Sequence, residues 1–213
     1  GLYDDKSRYR ALLCVTNISQ GMKILDAGCG TGDWSIMLAR KGGEVSAFDF
    51  IPDLIAIAKK NSQAENVNID YQVASVENYL GPSNYYDLIY TISVLQHITA
   101  EERLKMAVSN ICRMLKPQGK FFLIEHMPYQ PSNTKQKSEY IVVRSRDEWV
   151  KLFQQEGLKL VDEKGIKIIG FKLYDILPLK IILEISLWID KILSRIDMIN
   201  KRFAETRLVV FQK

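Results

Sequence analysis

Three sets of residues in this 213-residue chain have types and spacing suited to chemistry. The first is Asp26-x-Gly28-x-Gly30-x-Gly32, inside the run Lys-Ile-Leu-Asp-Ala-Gly-Cys-Gly-Thr-Gly-Asp-Trp that begins at Lys23. Glycine has no Cβ, so such a loop can take positive φ and let a ligand come close to its backbone. The second is Asp49, which ends the apolar stretch Glu-Val-Ser-Ala-Phe-Asp. A strand, a glycine turn, a helix and a second strand with a terminal acid are what binding a ribose by its two hydroxyls requires. The third is the pair His97 and His126, the chain's two histidines. Histidine titrates near neutral pH, so either ring can take a proton from a reacting hydroxyl.

The elements that must carry these residues follow from hydrophobic pattern and turn chemistry. Ile24 and Leu25 end a buried strand, and residues 34–40 form a helix whose first N–H groups face the glycine turn. Residues 44–49 form the second strand. Residues 51–63 form a helix with Pro52 in its first turn, and 69–73 the third strand. Residues 86–92 are the fourth strand, and a capping box at Thr99 to Glu102 starts a helix that runs towards Met114. Leu-Lys-Pro-Gln-Gly at 115–119 stops it, and residues 120–125 form the fifth strand. Both histidines then lie just past strand ends, at the carboxyl edge where open α/β sheets place ligands. A second capping box, Ser145 to Glu148, opens a helix closed by Gly157, and residues 158–162 and 206–212 complete the strands. A helix over residues 5–18 precedes them all, with Tyr9 near its start.

Composition narrows the class. The chain is 47% hydrophobic and 25% charged, which is globular, and its length suits one domain. A net charge of +4 is too small and too scattered to indicate nucleic acid. Cys14, Cys29 and Cys112 are far apart and odd in number, which excludes a disulfide framework and a zinc site and fits a reducing cytoplasm. No apolar run of about 18 residues reads as a membrane span. The expectation is therefore a cytoplasmic, metal-free protein with a small-molecule partner.

A dinucleotide fingerprint would need glycine where Asp33 stands, and a carboxylate there would repel a pyrophosphate. The spacing Asp26-x-Gly28-x-Gly30-x-Gly32 instead closely resembles the first motif of the class I S-adenosylmethionine-dependent methyltransferases. Two further stretches look like that family: Tyr86-Asp-Leu-Ile followed by Ser93-Val-Leu-Gln-His97, and Leu115-Lys-Pro-Gln-Gly119. The resemblance covers residues 20–160. It implies an α/β, Rossmann-like doubly wound sheet of seven strands with the last antiparallel and helices on both faces. Its cofactor is S-adenosylmethionine, left as S-adenosylhomocysteine. That molecule carries no phosphate and bears a sulfonium and an ammonium, which acidic neighbours suit. The resemblance assigns it Asp26, Gly28, Cys29, Gly30, Gly32, Asp49, Phe50 and Ser93, with Ala74, Ser75 and Val76 beside the adenine. The acid usual just past the third strand, where Ala74 and Ser75 stand, is missing here.

Methyl transfer from a sulfonium is an in-line displacement, for which positioning supplies roughly 7–11 kcal/mol and a general base about 10²–10⁴ in rate. His126 and His97 are the candidate bases. Tyr9, Glu125, Tyr140 and Arg144 are candidates to line the acceptor pocket, Glu125 by orienting His126 or by binding a donor on the acceptor. A long loop over 128–145 and a helical lid over 166–203 would shape that pocket. The aliphatic face of residues 178–199 reads as a lid, a dimer surface, or a contact for a membrane or a lipid-linked substrate. The leading expectation is a small-molecule methyltransferase, acting on oxygen of a sugar or another hydroxylated metabolite. The alternatives are a cofactor-binding partner subunit without catalysis, a lipid-linked or RNA acceptor, and a nicotinamide-dependent oxidoreductase.

Overall fold

The computed structural model describes residue 12 and residues 16–127, 139–167 and 206–213. Seven strands form a single sheet: β1 (Lys23–Ala27), β2 (Glu44–Asp49), β3 (Asp70–Val73), β4 (Tyr86–Ile92), β5 (Leu115–His126), β6 (Lys159–Lys167) and β7 (Thr206–Gln212). Their spatial order is β3-β2-β1-β4-β5-β7-β6. The first five are parallel, and β7 lies antiparallel between β5 and β6. Four described helices join them: α1 (Asp33–Arg40), α2 (Pro52–Ala64), α3 (Glu101–Met114) and α4 (Arg146–Gln155). This is the seven-stranded sheet expected from the resemblance, with its chain order reversing between β1 and β4.

Alternation along each strand sends side chains to opposite faces. On one face Leu25, Ile89, Phe121, Leu123, Val209 and Phe211 pack with Leu104, Val108, Trp149 and Phe153 of α3 and α4. On the other, Ile24, Leu88, Tyr90, Phe122, Ile124 and Leu208 pack with Leu38 of α1 and with Leu12. The Phe153 ring lies 4.7 Å from that of Phe121 and 4.8 Å from that of Phe211 between centroids, which pins α4 over β5 and β7.

Several boundaries differ from the expected ones for local reasons. β5 starts at Leu115 because that residue already pairs with Tyr86, ahead of a register shift before Leu88. His126 is therefore the last residue of β5 rather than a residue beyond it. The capping box at Thr99 is not formed: α3 has Ala100 at its N-cap without a side-chain bond. Glu102, the acid of that box, pairs with Lys105 at 2.9 Å instead. The second box is complete, Ser145 accepting from the Glu148 N–H while the Glu148 carboxylate accepts from the Ser145 N–H at 2.8 Å. β6 runs on to Lys167, so the first two residues of the aliphatic segment 166–199 belong to the sheet. The remainder of that segment, the helix over 5–18 apart from residues 12 and 16–18, and residues 128–138 lie outside the described residues.

Candidate functional site

The glycine turn between β1 and α1 folds back on the end of β2. The Gly28 and Cys29 N–H groups both donate to the Phe48 carbonyl at 2.9 Å. The Gly30 N–H donates to Oδ2 of Asp49 at 3.0 Å, and the Ile51 N–H to its Oδ1 at 3.0 Å. Asp49 is 7% exposed, so its carboxylate is braced by main chain on both oxygens and keeps further lone pairs for a ligand. The three glycines take φ of 91°, 54° and 83° for different reasons. A Cβ on Gly28 would stand 2.3 Å from Val94 Cγ2, and one on Gly32 would stand 2.5 Å from the Tyr71 hydroxyl. A Cβ on Gly30 would meet nothing within 4 Å. Gly28 and Gly32 are therefore demanded by the protein's own packing, while Gly30 borders open space.

Asp26 lies beneath this turn, 3% exposed, and accepts a hydrogen bond from the Ser35 hydroxyl of α1. Burial raises its carboxyl to about 6, against the pull of the Ser35 and Tyr90 hydroxyls, and the Asp49 charge adds to the rise. The same burial pushes the Cys29 thiol up, with the two aspartates adding to it, so Cys29 is a neutral thiol. Beyond β2, Phe50 is 69% exposed. Ala74 is half-buried and tied to β2 by its N–H on the Asp49 carbonyl at 3.0 Å, next to half-buried Ser75 and buried Val76. Asp49, Phe50 and residues 74–76 thus lie at adjacent strand ends, because Asp49 pairs with Val73.

The other part of the edge, beyond β4 and β5, is built around a turn. Ser93 leaves β4 in the left-handed region, φ 56°, with its N–H on the Ile124 carbonyl at 2.8 Å. The single-turn helix Leu95–His97 follows. Glu125 is fully buried, and its Oε1 accepts from the Val94 and Leu95 N–H groups at 2.9 and 2.8 Å. The exposed His97 ring donates from Nδ1 to the Tyr140 carbonyl at 3.1 Å, and the Val142 N–H donates to the Gln96 carbonyl at 2.9 Å. Tyr140 is 71% exposed beside it. His126, half-buried, follows Glu125 on β5 and so projects to the opposite face, on the side of Ile124 and Leu208. The structure therefore brings His97 and Tyr140 together and separates His126 from Glu125.

Residues 24–119 match a family described as "Methyltransferase domain". Over those residues, and in the fold as a whole, the chain is similar to the S-adenosylmethionine-dependent methyltransferases. Among curated proteins it is 35% identical over 104 residues to the ubiquinone biosynthesis O-methyltransferase of Xanthomonas oryzae pv. oryzae (strain PXO99A), covering 48% of this chain and 42% of that one. It is 32% identical over 103 residues to the protein of the same name from Coxiella burnetii (strain Dugway 5J108-111), covering 48% and 43%. The chain thus spans less than half the length of these relatives. A solved S-adenosylmethionine-dependent methyltransferase from Mesorhizobium loti superposes with a TM-score of 0.69 at 16% identity, covering 99% of this chain and all of that one. The [4+2]-cyclase SpnF superposes with a TM-score of 0.71 at 15% identity, covering 97% and 80%. The fold alone therefore hosts more than one named activity.

The methyltransferase cofactor fits the residues present. Asp26, Asp33 and Asp49 surround the turn without opposing a ligand that has no phosphate, and Gly30 leaves room where a side chain would intrude. The structure also supplies neighbours that sequence reasoning missed. Val94 fills the space above Gly28, and Ser35 and Tyr90 surround Asp26. No motif spacing marks them, since they meet only through the sheet. Arg144 is 5% exposed rather than solvated, with Nη2 on Glu101 at 3.1 Å and its guanidinium 5.2 Å from the Trp149 ring centre. Its Nη1 and the Trp149 Nε1 have no hydrogen-bond partner among the described residues. Tyr9 lies outside those residues. Among them no helix is long and apolar enough to cross a membrane.

Proposed function

We propose that this methyltransferase transfers a methyl group to a hydroxyl oxygen of a small molecule, a sugar or another hydroxylated metabolite, with His97 as the base. The observation that carries the reading is the His97 ring. Its Nδ1 is committed to the Tyr140 carbonyl, so its other nitrogen is the basic one, at the edge of the sheet beside an exposed tyrosine. The curated relatives, named as O-methyltransferases, support oxygen as the acceptor atom.

S-adenosylmethionine, when bound, supplies an electrophilic methyl on a sulfonium. Gly28, Cys29, Gly30 and Gly32 would admit it to the turn, and Asp49, already braced by two N–H groups, would accept from the ribose hydroxyls. Phe50, exposed next to Asp49, would cover one side of the adenine, with Ala74, Ser75 and Val76 at its edge. Ser93 would face the same space from β4. His97 would take the hydroxyl proton of the acceptor, and Tyr140 and Arg144 would border the acceptor's side. His126, on the other face of β5, is the second candidate base. Positioning remains the larger contribution, about 7–11 kcal/mol against roughly 3–5 for the base.

The test is turnover. Purified protein is incubated with S-adenosylmethionine and a panel of hydroxylated small molecules, and S-adenosylhomocysteine is followed. Production with a hydroxyl acceptor, lost on methylation of that hydroxyl beforehand, supports the reading. Product formed only with amine or carbon acceptors replaces it. A lipid-linked acceptor is the second reading, favoured by the aliphatic sequence of residues 178–199. Matched acceptors with and without an alkyl tail distinguish the two.

A further inference from the structure

We infer that Glu125 is a positioning residue: by holding the 94–97 turn with one buried carboxylate oxygen, it sets His97 as the Nδ1–H tautomer and leaves Nε2 as the basic nitrogen. The inference rests on the proposed hydroxyl methylation only in giving that nitrogen a proton to accept. The tautomer itself follows from the geometry.

One chain of hydrogen bonds links Glu125 to the His97 ring. The first N–H groups of a short helical turn have no partner within the turn. Here those of Val94 and Leu95 both go to Oε1 of Glu125, which no solvent reaches. The two N–H groups donate to one buried carboxyl oxygen, and burial removes competing water. Glu125 stands on a rigid base, since β5 is paired on both sides up to Ile124. The turn then closes on itself, His97 N–H to the Val94 carbonyl at 3.0 Å and Ile98 N–H to the Leu95 carbonyl at 3.1 Å. With its start anchored, the turn presents two groups to residues 140–142. The Gln96 carbonyl accepts from Val142, and His97 Nδ1 meets the Tyr140 carbonyl. A carbonyl oxygen has no proton to give, so Nδ1 carries it. Free neutral imidazole in water prefers the opposite tautomer, with the proton on Nε2, so the protein must hold the ring to reverse that preference.

The anchor also reaches the cofactor turn. Val94 occupies the space that a side chain at Gly28 would need. A displaced 94–97 turn would therefore disturb both the base and the floor of the cofactor site. The left-handed Ser93, which any residue but glycine adopts at a cost, marks where β4 is bent to make this juxtaposition.

Imidazole ¹⁵N–¹H long-range spectra of ¹⁵N-labelled protein test this without an acceptor. They are recorded at about pH 8. There are two histidines, so His126→Asn assigns the signals. The expected wild-type spectrum shows His97 protonated on Nδ1. Glu125→Met keeps the bulk without the acceptor oxygens, and is expected to move His97 towards the Nε2–H form. Glu125→Gln keeps an acceptor oxygen and is expected to retain the wild-type pattern. Should the methionine variant not fold, Glu125→Asp retains the charge but falls one methylene short, and is expected to raise the Nε2–H share. A wild-type ring protonated on Nε2 overturns the inference, as does a folded Glu125→Met or Glu125→Asp protein with an unchanged His97 ring. Calorimetry with S-adenosylhomocysteine on the same samples separates the two claims. No binding by the wild type removes the methyltransferase reading, while the tautomer is scored independently.

Discussion

Beyond β1 and β2 the sheet edge is made of main chain; beyond β4 and β5 it is made of side chains. In the first region, N–H groups of residues 28–30 and 51 converge on one carbonyl and one carboxylate. The shape depends on three glycines at positive φ. In the second region, a buried glutamate anchors a turn, the turn carries a histidine, and the histidine ring rests on a carbonyl 43 residues away in the chain. Backbone recognition tolerates few substitutions and repeats across a family. A cyclase and a methyltransferase superpose on this chain about equally well, so the fold by itself does not fix one activity.

The contrast can be broken most severely at His97, the proposed base. His97→Ala is expected to slow turnover by about 10²–10⁴ with little change in S-adenosylhomocysteine affinity. Rate measurement beside calorimetry reads both, and an equal loss in His126→Ala alone would move the base to the other face of β5. Next in size is the difference between two glycines of one turn. Gly28→Ala drives a Cβ into Val94 and should cost about 1–3 kcal/mol of stability beyond the left-handed penalty. Gly30→Ala should cost only that penalty, about 1–2 kcal/mol, yet lose cofactor affinity because its Cβ enters open space. Urea denaturation with calorimetry separates the pair; equal stability losses would mean that Gly30 is structural too.

Asp49→Ala removes the acceptor for two N–H groups and, on the proposed reading, for the ribose. It is expected to weaken S-adenosylhomocysteine by about ten- to a hundredfold, since hydrogen bonds to a charged group contribute about 1.5–3 kcal/mol. Unchanged affinity would remove the ribose from this half of the edge. The smallest expected effect is a pH slope. The Asp26 carboxyl, ordinarily near 3.8, is raised to about 6 by burial, so between those values the folded protein holds a proton that the unfolded chain has released. The stabilisation is present below about pH 3.8 and lost as pH rises through about 6, by up to roughly 2–3 kcal/mol. Asp26→Asn should lack this slope, so denaturant midpoints of the two proteins should diverge between pH 4 and 7. Parallel curves would mean that Asp26 is not desolvated.

Most of the parallel sheet was legible in the sequence, because each strand is a short apolar run ended by turn residues. The strand Tyr86–Ile92 and the strand Thr206–Gln212 have the expected boundaries, and the Ser145 box caps α4 as its spacing indicated. Thr99 did not cap α3, because Ala100 takes the N-cap and Glu102 turns to Lys105. In the site, the glycine turn and Asp49 were legible as a pair because a strand–turn–helix–strand unit leaves them little freedom. Glu125 was expected to orient His126 or to meet the acceptor. Its observed Oε1 bonds go to Val94 and Leu95, and adjacent residues of a strand face opposite sides. Arg144 was expected to line the acceptor pocket, and it is buried against Trp149. No local pattern encodes that contact.

What the sequence determined alone was whatever a few consecutive residues settle: the turn that only glycine permits, the acid at a strand end, the alternation that buries one face. Which histidine has a fixed tautomer, which glycine borders open space, and which carboxylate carries a turn were decided by tertiary structure. Those properties depend on atoms brought together from β1, β4, β5 and residues 139–142. A hydrogen-bond partner or an empty volume is a relation between distant segments, and it exists only after the sheet has assembled them.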